Sequence, residues 1–396
     1  MTEWIECTLD KLGEIVGGAT PSTKCEDYYG GSIPWITPKD LSSFKGRYIT
    51  SGERNITEKG LASCSAQMMP KDAVLFTSRA PIGYIAIASQ SVCTNQGFKS
   101  IVVNKKADPL FVYYLLKYNK DAIEAMGSGT TFKEVSGKTM RAVKVRIPLD
   151  VSYQKRIAAV LDSLDTKIEN NERINDNLEQ QAQAIYHERF ETVSPNDLPS
   201  DWRIVTLGEV ATISNKSFNP LKEPEILLEH YSIPAFDEAR FPVFELSTSI
   251  KSNKFIIDAS CFMISKLNPT TKRVWKPYCL TGNAVCSTEF IVYKAKDQSI
   301  TDFLYSVIDS GSFSDFMCSH VTGSTGSRQR TTPSDTLSYE LILPSEDELS
   351  EFQSLVSPMY AQMRINAIEN DKLKRLRDSL LPKLMSSEID VSAVQL

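Results

Sequence analysis

One stretch of the chain, residues 157–185, reads IAAVLDSLDTKIENNERINDNLEQQAQAI and decides the fold. Its apolar and asparagine positions follow one another at alternating steps of four and three residues. This spacing keeps one narrow stripe of a helix facing a partner helix, as in a coiled coil. The stripe consists of Ile157, Leu161, Leu164, Ile168, Asn171, Asn175, Leu178, Ala182 and Ile185. The stretch therefore predicts a long helix that pairs with a second helix.

The same stripe returns 195 residues later. It consists of Phe352, Val356, Met359, Met363, Asn366, Asn370, Leu373, Arg377 and Leu380. If the two helices run antiparallel, Asn171 and Asn175 meet Asn366 and Asn370 at the centre of the pair. Buried asparagine pairs fix register and partner, because any slip leaves an amide facing hydrocarbon. The alternative interpretation is that these asparagines lie at an exposed part of the stripe.

Outside the helices, the chain repeats itself with an offset of 198 residues in a total of 396. The residues Trp4, Thr8, Leu9, Leu12 and Ile15 recur as Trp202, Thr206, Leu207, Val210 and Ile213. Two copies indicate a duplication and not a repeat array. We therefore predict an α+β fold in which two similar domains are joined by two long helices, which form an antiparallel coiled coil with pseudo-two-fold symmetry.

The repeat also predicts where the parts begin and end. The two domains are expected at residues 1–150 and 194–345, and the two helical repeats at residues 151–193 and 346–390. Apolar runs bounded by Gly, Pro and Asn predict strands at residues 33–37, 73–77, 84–88 and 99–103, and at residues 261–264 and 289–294 in the second copy. Apolar residues at helical spacing predict one helix in each copy, at about 109–125 and 301–318.

Composition describes an ordinary globular protein, with 41% hydrophobic and 23% charged residues. No apolar run reaches the roughly 18 residues of a membrane span, and the start at Met1 has no basic and apolar signal-peptide pattern. We therefore expect a cytoplasmic protein. The eight cysteines show no C-x-x-C spacing, so neither a zinc site nor a redox motif is indicated.

The net charge of −5 initially counts against nucleic acid as a partner, but its distribution matters more than its sum. Two segments are locally basic, at residues 131–147 and 265–277. They contain Lys133, Lys138, Arg141, Lys144 and Arg146, and Lys266, Lys272, Arg273 and Lys276. Such faces are compatible with phosphate contacts. The alternative is that these charges are simply solvated.

Motifs for catalysis are missing from the sequence. It contains neither the [DN]-P-P-[YF] tetrapeptide of adenine methyltransferases nor a G-x-G-x-x-G. The segment Ser136-Gly137-Lys138-Thr139 resembles the end of a phosphate-binding loop, but Phe132 stands where that loop requires glycine. The three histidines have no metal-binding spacing. We therefore expect a non-catalytic chain with no metal and no cofactor of its own.

Several motifs together resemble the specificity subunit of type I restriction–modification systems. They are W-x3-T-L at 4–9, G-G-A-T-P-S at 17–22, Y-G-G-S-I-P-W-I-T-P-K-D-L at 29–41, T-N-Q-G-F at 94–98 and L-R-D-S-L-L-P-K-L-M-S-S-E-I at 376–389. The resemblance extends over the whole chain, as two target-recognition domains that alternate with two helical repeats. No single motif is decisive, but their combination in this order is specific.

This resemblance implies a DNA-binding subunit that recognises a split target, with one half-site for each recognition domain. It further implies two methylation subunits that methylate adenine N6, and restriction subunits that cleave DNA with ATP. S-adenosylmethionine, ATP and Mg are then expected on those partner subunits. A competing hypothesis is a protein-binding scaffold whose two modules are held apart by a coiled-coil spacer.

The DNA-binding candidates are polar side chains in loops at strand ends, because Arg and Lys recognise guanine and Asn and Gln recognise adenine in the major groove. Glycine- and hydroxyl-rich loops add phosphate contacts. In the first domain the candidates are Lys39, Arg79, Asn95, Gln96, Ser128, Thr130 and Lys133. In the second domain they are Lys266, Asn268, Lys272, Arg273, Ser324, Thr325, Arg328 and Arg330. Each residue alone is also compatible with plain loop surface.

Overall fold

The structure is a computed structural model that describes residues 3–42, 44–129, 133–223, 225–323 and 329–394. The chain divides into two compact units. Unit 1 comprises Met1–Glu169 and Lys372–Leu396, and unit 2 comprises Asn170–Asp371. Two long helices, α6 (Val151–Tyr186) and α11 (Glu346–Met385), contribute residues to both units. Each unit is therefore built from segments of both halves of the sequence.

Unit 1 contains a five-stranded sheet of order β2-β9-β6-β7-β4, a three-stranded sheet of order β5-β3-β8, and the antiparallel pair β1-β10. Its strands are β1 Trp4–Thr8, β2 Gly13–Gly17, β3 Tyr29–Ile36, β4 Tyr48–Ile49, β5 Asn55–Ile56, β6 Val74–Ser78, β7 Ile82–Ala88, β8 Cys93–Thr94, β9 Lys99–Val103 and β10 Lys144–Pro148. Its shorter helices are α1 Pro38–Ser42, α2 Glu58–Ala62, α3 Pro109–Tyr118, α4 Lys120–Ala125 and α5 Gly137–Ala142.

Unit 2 contains sheets of order β12-β20-β17-β18 and β13-β16-β19-β14-β15, and the pairs β11-β23 and β21-β22. Its strands are β11 Arg203–Thr206, β12 Ala211–Ile213, β13 Ser217–Phe218, β14 Leu227–Tyr231, β15 Val243–Leu246, β16 Lys254–Ile256, β17 Cys261–Ser265, β18 Val274–Trp275, β19 Ala284–Ser287, β20 Phe290–Ala295, β21 Val321–Thr322, β22 Arg330–Thr331 and β23 Glu340–Leu343. Its shorter helices are α7 Leu207–Val210, α8 Ile233–Ala239, α9 Thr301–Ile308 and α10 Gly311–Ser319.

The two units repeat one plan, which confirms the predicted duplication and the α+β class. In each unit the first strand pairs antiparallel with the strand that precedes a long helix, β1 with β10 and β11 with β23. The order β2-β9-β6 also returns as β12-β20-β17. The repeated apolar positions specify the same packing twice: Leu9 and Leu207 are both fully buried.

The single helices predicted at 109–125 and 301–318 are wrong, because each is two helices. Asn119 ends α3, and its Nδ2 donates to the carbonyl oxygen of Leu115 at 2.7 Å. In unit 2, Ser310 begins α10, and its side chain accepts from the backbone N–H of Phe313 at 3.1 Å. These short polar side chains bond to nearby backbone groups, which favours helix ends over helix interiors.

Within unit 2, helices α6 and α11 run antiparallel. Asn171 Nδ2 donates to Asn370 Oδ1 at 2.8 Å, and Asn366 Nδ2 donates to Asn175 Oδ1 at 2.8 Å. As the residue number rises by four along α6, from Asn171 to Asn175, the number of the facing residue falls by four along α11, from Asn370 to Asn366. Exposures of 1%, 4% and 5% for Asn171, Asn366 and Asn370 contradict the alternative that these positions are exposed. The role of the amides in fixing register stays a prediction.

Within unit 1, the two long helices close the core beneath the five-stranded sheet. Phe111 of α3 packs in one apolar cluster with Ile157 and Leu161 of α6 and with Leu384 of α11. All four side chains are almost completely removed from water, and each such burial contributes roughly 1.5–3 kcal/mol. A polar contact lies in the same region, where Arg377 Nη1 donates to Asp165 Oδ1 at 2.7 Å.

Candidate nucleic-acid interface

Three loops of unit 1 that carry candidate residues are joined by backbone hydrogen bonds at Ser78, the last residue of β6. The Ser78 N–H donates to the Gly97 carbonyl oxygen at 2.7 Å, in the loop that holds Asn95 and Gln96. The Val135 N–H donates to the Ser78 carbonyl oxygen at 3.0 Å, which attaches the loop after α4. Arg79 follows Ser78 directly. The fold thus brings Arg79, Asn95 and Gln96 to one place.

A fourth segment, the glycine-rich loop at residues 17–22, packs against the loop that holds Asn95 and Gln96. The Ala19 N–H donates to the Thr94 carbonyl oxygen at 3.0 Å, and Trp35 Nε1 donates to the Ala19 carbonyl oxygen at 3.0 Å. A Cβ at Gly18 would lie 2.0 Å from the Asn95 carbonyl oxygen, so only glycine allows this approach. The motifs at 17–22 and 94–98, far apart in sequence, therefore form one structural feature.

The two amide candidates differ in how available they are. Asn95 Oδ1 accepts from the backbone N–H of Gly97 at 2.8 Å, so bidentate recognition of adenine requires that this contact be exchanged. Gln96 is exposed and accepts a hydrogen bond from the Thr20 hydroxyl at the surface. Of the pair, Gln96 is the better placed to reach a base.

The cationic candidates of unit 1 surround one carboxylate. Glu134 lies 3.3 Å from Arg79 Nη1 and 3.5 Å from Lys99 Nζ, so one negative charge is shared by two cations. Lys133 beside it is exposed. Ser128 exchanges two backbone hydrogen bonds with Glu134, at 3.0 and 2.9 Å, which closes the base of its loop. The arrangement leaves net positive charge at this edge of the unit.

Two further candidates of the first domain remain. Lys39, on α1, forms a 2.6 Å ion pair with Glu53, and both side chains are largely exposed. The pair is freely solvated, and such pairs contribute little to stability. Thr130 lies outside the described residues, so its predicted role stays a prediction.

Unit 2 places its candidate loops in the same relation. The loop 266–273 connects β17 and β18, as the Arg79 loop connects β6 and β7. The Thr331 N–H donates to the Lys266 carbonyl oxygen at 3.1 Å, and the Asn268 N–H donates to the Gln329 carbonyl oxygen at 3.0 Å. These bonds correspond to the bond between Val135 and Ser78 in unit 1. Ser324, Thr325 and Arg328 lie outside the described residues.

The cations of unit 2 are more firmly held than those of unit 1. Arg273 is bidentate to Asp237, at 2.6 and 2.9 Å, and its side chain is 13% exposed. Arg330 donates twice to Glu289, at 2.9 and 3.2 Å. Lys272 lies 2.8 Å from the carboxylate of Asp309. A DNA contact by any of these three residues requires that its ion pair be exchanged for a base or a phosphate.

Asn268 and Lys266 complete the loop. Asn268 has a left-handed backbone with φ of 49°, a conformation that asparagine tolerates in turns, and its Oδ1 is buried without a partner among the described residues. In this conformation it shapes the turn, and its predicted base contact requires the loop to move. Lys266 is half-buried, and none of the ion pairs described involves it.

Asp309 has an unusual environment. Its side chain is 1% exposed at the end of α9, and burial raises the pKa of this carboxyl to about 6, while Lys272 acts in the opposite direction. This buried carboxylate at the C-terminal end of α9 holds a lysine of the loop 266–273. The loop of unit 2 is thus connected to its core by a charge that responds to pH near 6.

Sequence reasoning missed Arg47, which connects the sheet of unit 1 to helix α6. Its guanidinium is 6% exposed and donates to Glu169 at 3.1 and 3.0 Å and to Thr166 at 2.8 Å. It also pairs with Asp162. A partial signal was present in the acidic residues of the first helix, among them Asp162 and Glu169, but no spacing indicates which cation they meet.

Further chemistry is limited in the described parts of the chain. Among those residues, no group of three or more His, Cys, Asp or Glu side chains could hold a metal ion. Within the same ranges, no helix is long and apolar enough to cross a bilayer. The eight cysteines are free thiols, and burial raises the pKa of Cys93 to about 12, which keeps it protonated.

Comparison with known proteins gives the class first. A sequence model of the family described as the type I restriction modification DNA specificity domain matches residues 1–180. The specificity subunit of type I restriction enzyme MjaIX from Methanocaldococcus jannaschii is 31% identical, over 98% of this chain and 94% of its own length. The specificity subunit of EcoR124I/EcoR124II from Escherichia coli is 29% identical, over 40% of each chain. The chain therefore belongs to the type I restriction–modification specificity subunits, which are non-catalytic components.

The fold agrees with this assignment. The crystal structure of the S subunit of a type I restriction–modification system from M. genitalium superposes with a TM-score of 0.61 and covers 97% of this chain and 96% of its own. At 16% identity the likeness concerns the fold alone.

Proposed function

We propose that this subunit recognises a DNA target of two separate parts, one through the loops of unit 1 and one through the loops of unit 2. The observation that carries the proposal is the same pair of bonded loops at a strand end in both units. In each, a strand-end loop with a cation, Arg79 or Lys266, is bonded to a glycine-rich loop that follows a helix. A duplicated set of cationic loops suits a ligand with two related parts.

The resemblance and the family suggest the rest of the assembly. Under this proposal two methylation subunits bind S-adenosylmethionine and methylate adenine N6, and restriction subunits bind ATP and Mg and cleave DNA. This chain supplies the choice of sequence, and the reacting groups belong to its partners. The complex acts where the cell's DNA lies, in the cytoplasm of its host.

The experiment expresses the full chain with its methylation subunits and maps methylated adenines over a genome. A split motif with two fixed parts and an unread spacer is the expected result. Arg79→Ala should relax one part and Lys266→Ala the other, each at a cost of about 1–3 kcal/mol if the contact is bidentate to a base. Lys105→Gln, which removes an exposed charge after β9, is the control and should leave both parts unchanged.

Two results would contradict the proposal. One is a single continuous motif, and the other is relaxation of the same part by both variants. Binding to duplex DNA whose affinity does not depend on salt would instead favour the protein scaffold, since phosphate neutralisation gives a steep salt dependence.

A further inference from the structure

Unit 1 contains an open cavity of about 280 Å³ on which three lysines from three separate elements converge. Lys45 lies between α1 and β4, Lys117 lies in the last turn of α3, and Lys120 begins α4. Tyr84 and Tyr113 also line the cavity, and none of its lining residues is Asp or Glu. The volume is several times the roughly 30 Å³ occupied by a water molecule. A group as large as a phosphodiester therefore fits.

Among the described residues, the three lysines form no ion pair at salt-bridge distance. None of the ion pairs described for the chain involves Lys45, Lys117 or Lys120. Lys117 Nζ instead lies 5.1 Å from the centre of the Tyr113 ring, and burial lowers the pKa of this lysine. Like charges brought together without an acid repel one another, which costs free energy until an anion binds between them.

The two acids whose charge reaches Lys117, Asp165 and Asp378, both pair with Arg377. Asp165, whose field reaches Lys117, accepts from Arg377 at 2.7 Å and from the Tyr114 hydroxyl at 2.8 Å. Both carboxylate oxygens therefore have donors, and Arg377 brings its own positive charge. Asp165 therefore offsets part of the charge of Lys117 but shares that role with Arg377, and no acid lines the cavity itself.

The cavity borders the candidate DNA interface. Its wall includes Gly83, which lies four residues after Arg79 at the start of β7. Gly83 has φ of 93°, and a Cβ there would lie 2.7 Å from Cε of Lys120, so the glycine lets the lysine lie against the strand. A duplex contacted by Arg79 would carry its backbone phosphates past this edge.

We propose that Lys45, Lys117 and Lys120 form a phosphate-binding site in unit 1, which holds a backbone phosphate of the DNA next to the bases met by the Arg79 loop. Lysines bind phosphate as point charges and carry no base information. The site adds affinity and fixes position without altering the target. The choice of DNA as the source of the phosphoryl group rests on the proposed function, and a free phosphoryl anion has the same chemistry.

The test measures DNA affinity of the complex with methylation subunits over a series of salt concentrations. One variant is Lys45→Gln with Lys120→Gln, and a second is Lys117→Met, so that a folding defect in one leaves the other informative. Lys71→Gln with Lys105→Gln is the matched control, since both residues are exposed and lie at the opposite end of β6. The slope of log Kd against log salt should fall by about 0.9 for each lysine removed. The control should keep the wild-type slope, and the methylated motif should be unchanged throughout.

A parallel titration with inorganic phosphate and tripolyphosphate separates the two sources. A reduced slope in the lysine variants supports the DNA backbone as ligand. An unchanged slope, with phosphate binding to wild type that both variants lose, supports the site with a free phosphoryl anion as its ligand. Wild-type slope and wild-type phosphate behaviour in both folded variants overturn the site. A wild-type complex that does not bind DNA overturns the proposed function instead, and the phosphate arm still tests the site.

Discussion

The same position carries opposite charges in the two units. Six residues after the buried Phe111 of α3 stands Lys117, and six residues after the buried Phe303 of α9 stands Asp309. The lysine faces a cavity with two other lysines, whereas the aspartate holds Lys272. The duplication has kept the apolar positions that specify packing and has let the charges at the helix ends diverge.

This divergence shows that two copies of one fold can pair the cations of their loops with acids in different ways. In unit 1 the loop cations share Glu134, at 3.3 and 3.5 Å. In unit 2 Lys272, Arg273 and Arg330 each have an acid of their own. The loops of unit 1 therefore offer uncompensated charge, while those of unit 2 are fixed in place and exchange partners on binding. Affinity and rigidity are divided unequally between the copies.

The largest expected effect concerns two arginines that pair with acids of helix α6, Arg47 in unit 1 and Arg240 in unit 2. Arg47→Ala leaves two partly buried carboxylates, Asp162 and Glu169, without their partner, and should destabilise unit 1 by about 3–5 kcal/mol. Arg240→Ala removes the arginine that pairs with Glu179. Because the Arg240 side chain is 39% exposed, this loss should destabilise unit 2 by less. Thermal unfolding of the full chain, followed by hydrogen exchange in each unit, measures both. Equal losses would show that burial does not distinguish the two contacts.

The second effect depends on pH and concerns Asp309, which stands in unit 2 at the position of Lys117 in unit 1. An unfolded Asp ionises near pH 3.9, while the pKa of Asp309 is about 6 in the folded chain. The stability due to its protonated form is therefore complete below pH 4 and is lost as pH rises through 6, by up to about 3 kcal/mol. Asp309→Asn stays neutral, so its Tm should match wild type at pH 4 and exceed it at pH 7. A constant difference in Tm over that range would contradict the assignment.

The third effect concerns the polar layers between the long helices. In unit 2 the layer is made of amides, and in unit 1 it is the ion pair of Asp165 and Arg377. Asn171→Leu alone should destabilise by about 1–3 kcal/mol, because Asn370 loses the amide that it faces. Asn171→Leu with Asn370→Leu should recover the loss and raise Tm. If the double variant is no more stable than the single one, apolar groups do not fit this layer.

The smallest effect is expected at the exposed pair of Lys39 and Glu53. Both side chains are largely solvated, at 79% and 66% exposure, so Lys39→Ala should leave the free energy of unfolding almost unchanged. The same change at Lys272 should cost more, since it leaves Asp309 buried without its cation. Chemical denaturation of the two variants compares them directly. A larger loss for Lys39→Ala than for Lys272→Ala would contradict this ranking of the two ion pairs.

The long helices and their asparagine layers could be predicted because the signal is local and repeated. A stripe with steps of four and three residues predicts which face of the helix is buried. The copy 195 residues later predicts the partner helix. The breaks at Asn119 and Ser310 could not be predicted with the same ease, since the apolar spacing continues through them while a side chain bonds the backbone.

The candidate interface was predictable as loops but not as charges. Arg79, Gln96 and the loop 266–273 do lie at strand ends, as turn residues between apolar runs predicted. The acids that hold Arg273 and Lys272 lie 36 and 37 residues away, and no spacing indicates such pairs. The cluster of Lys45, Lys117 and Lys120 comes from three elements that only the tertiary fold brings together.

The core of unit 1 has a consequence for the order of synthesis. Leu384, Met385 and Val391 pack with Val145 and Tyr153 in the cluster that supports the first sheet. These residues are synthesised after the whole of unit 2, so the core of unit 1 is completed only after unit 2 has been made. Until then, its apolar surface stays open to chaperones and to aggregation. A chain shortened near residue 380 would therefore lose part of the core of unit 1, while unit 2 would keep all of its residues.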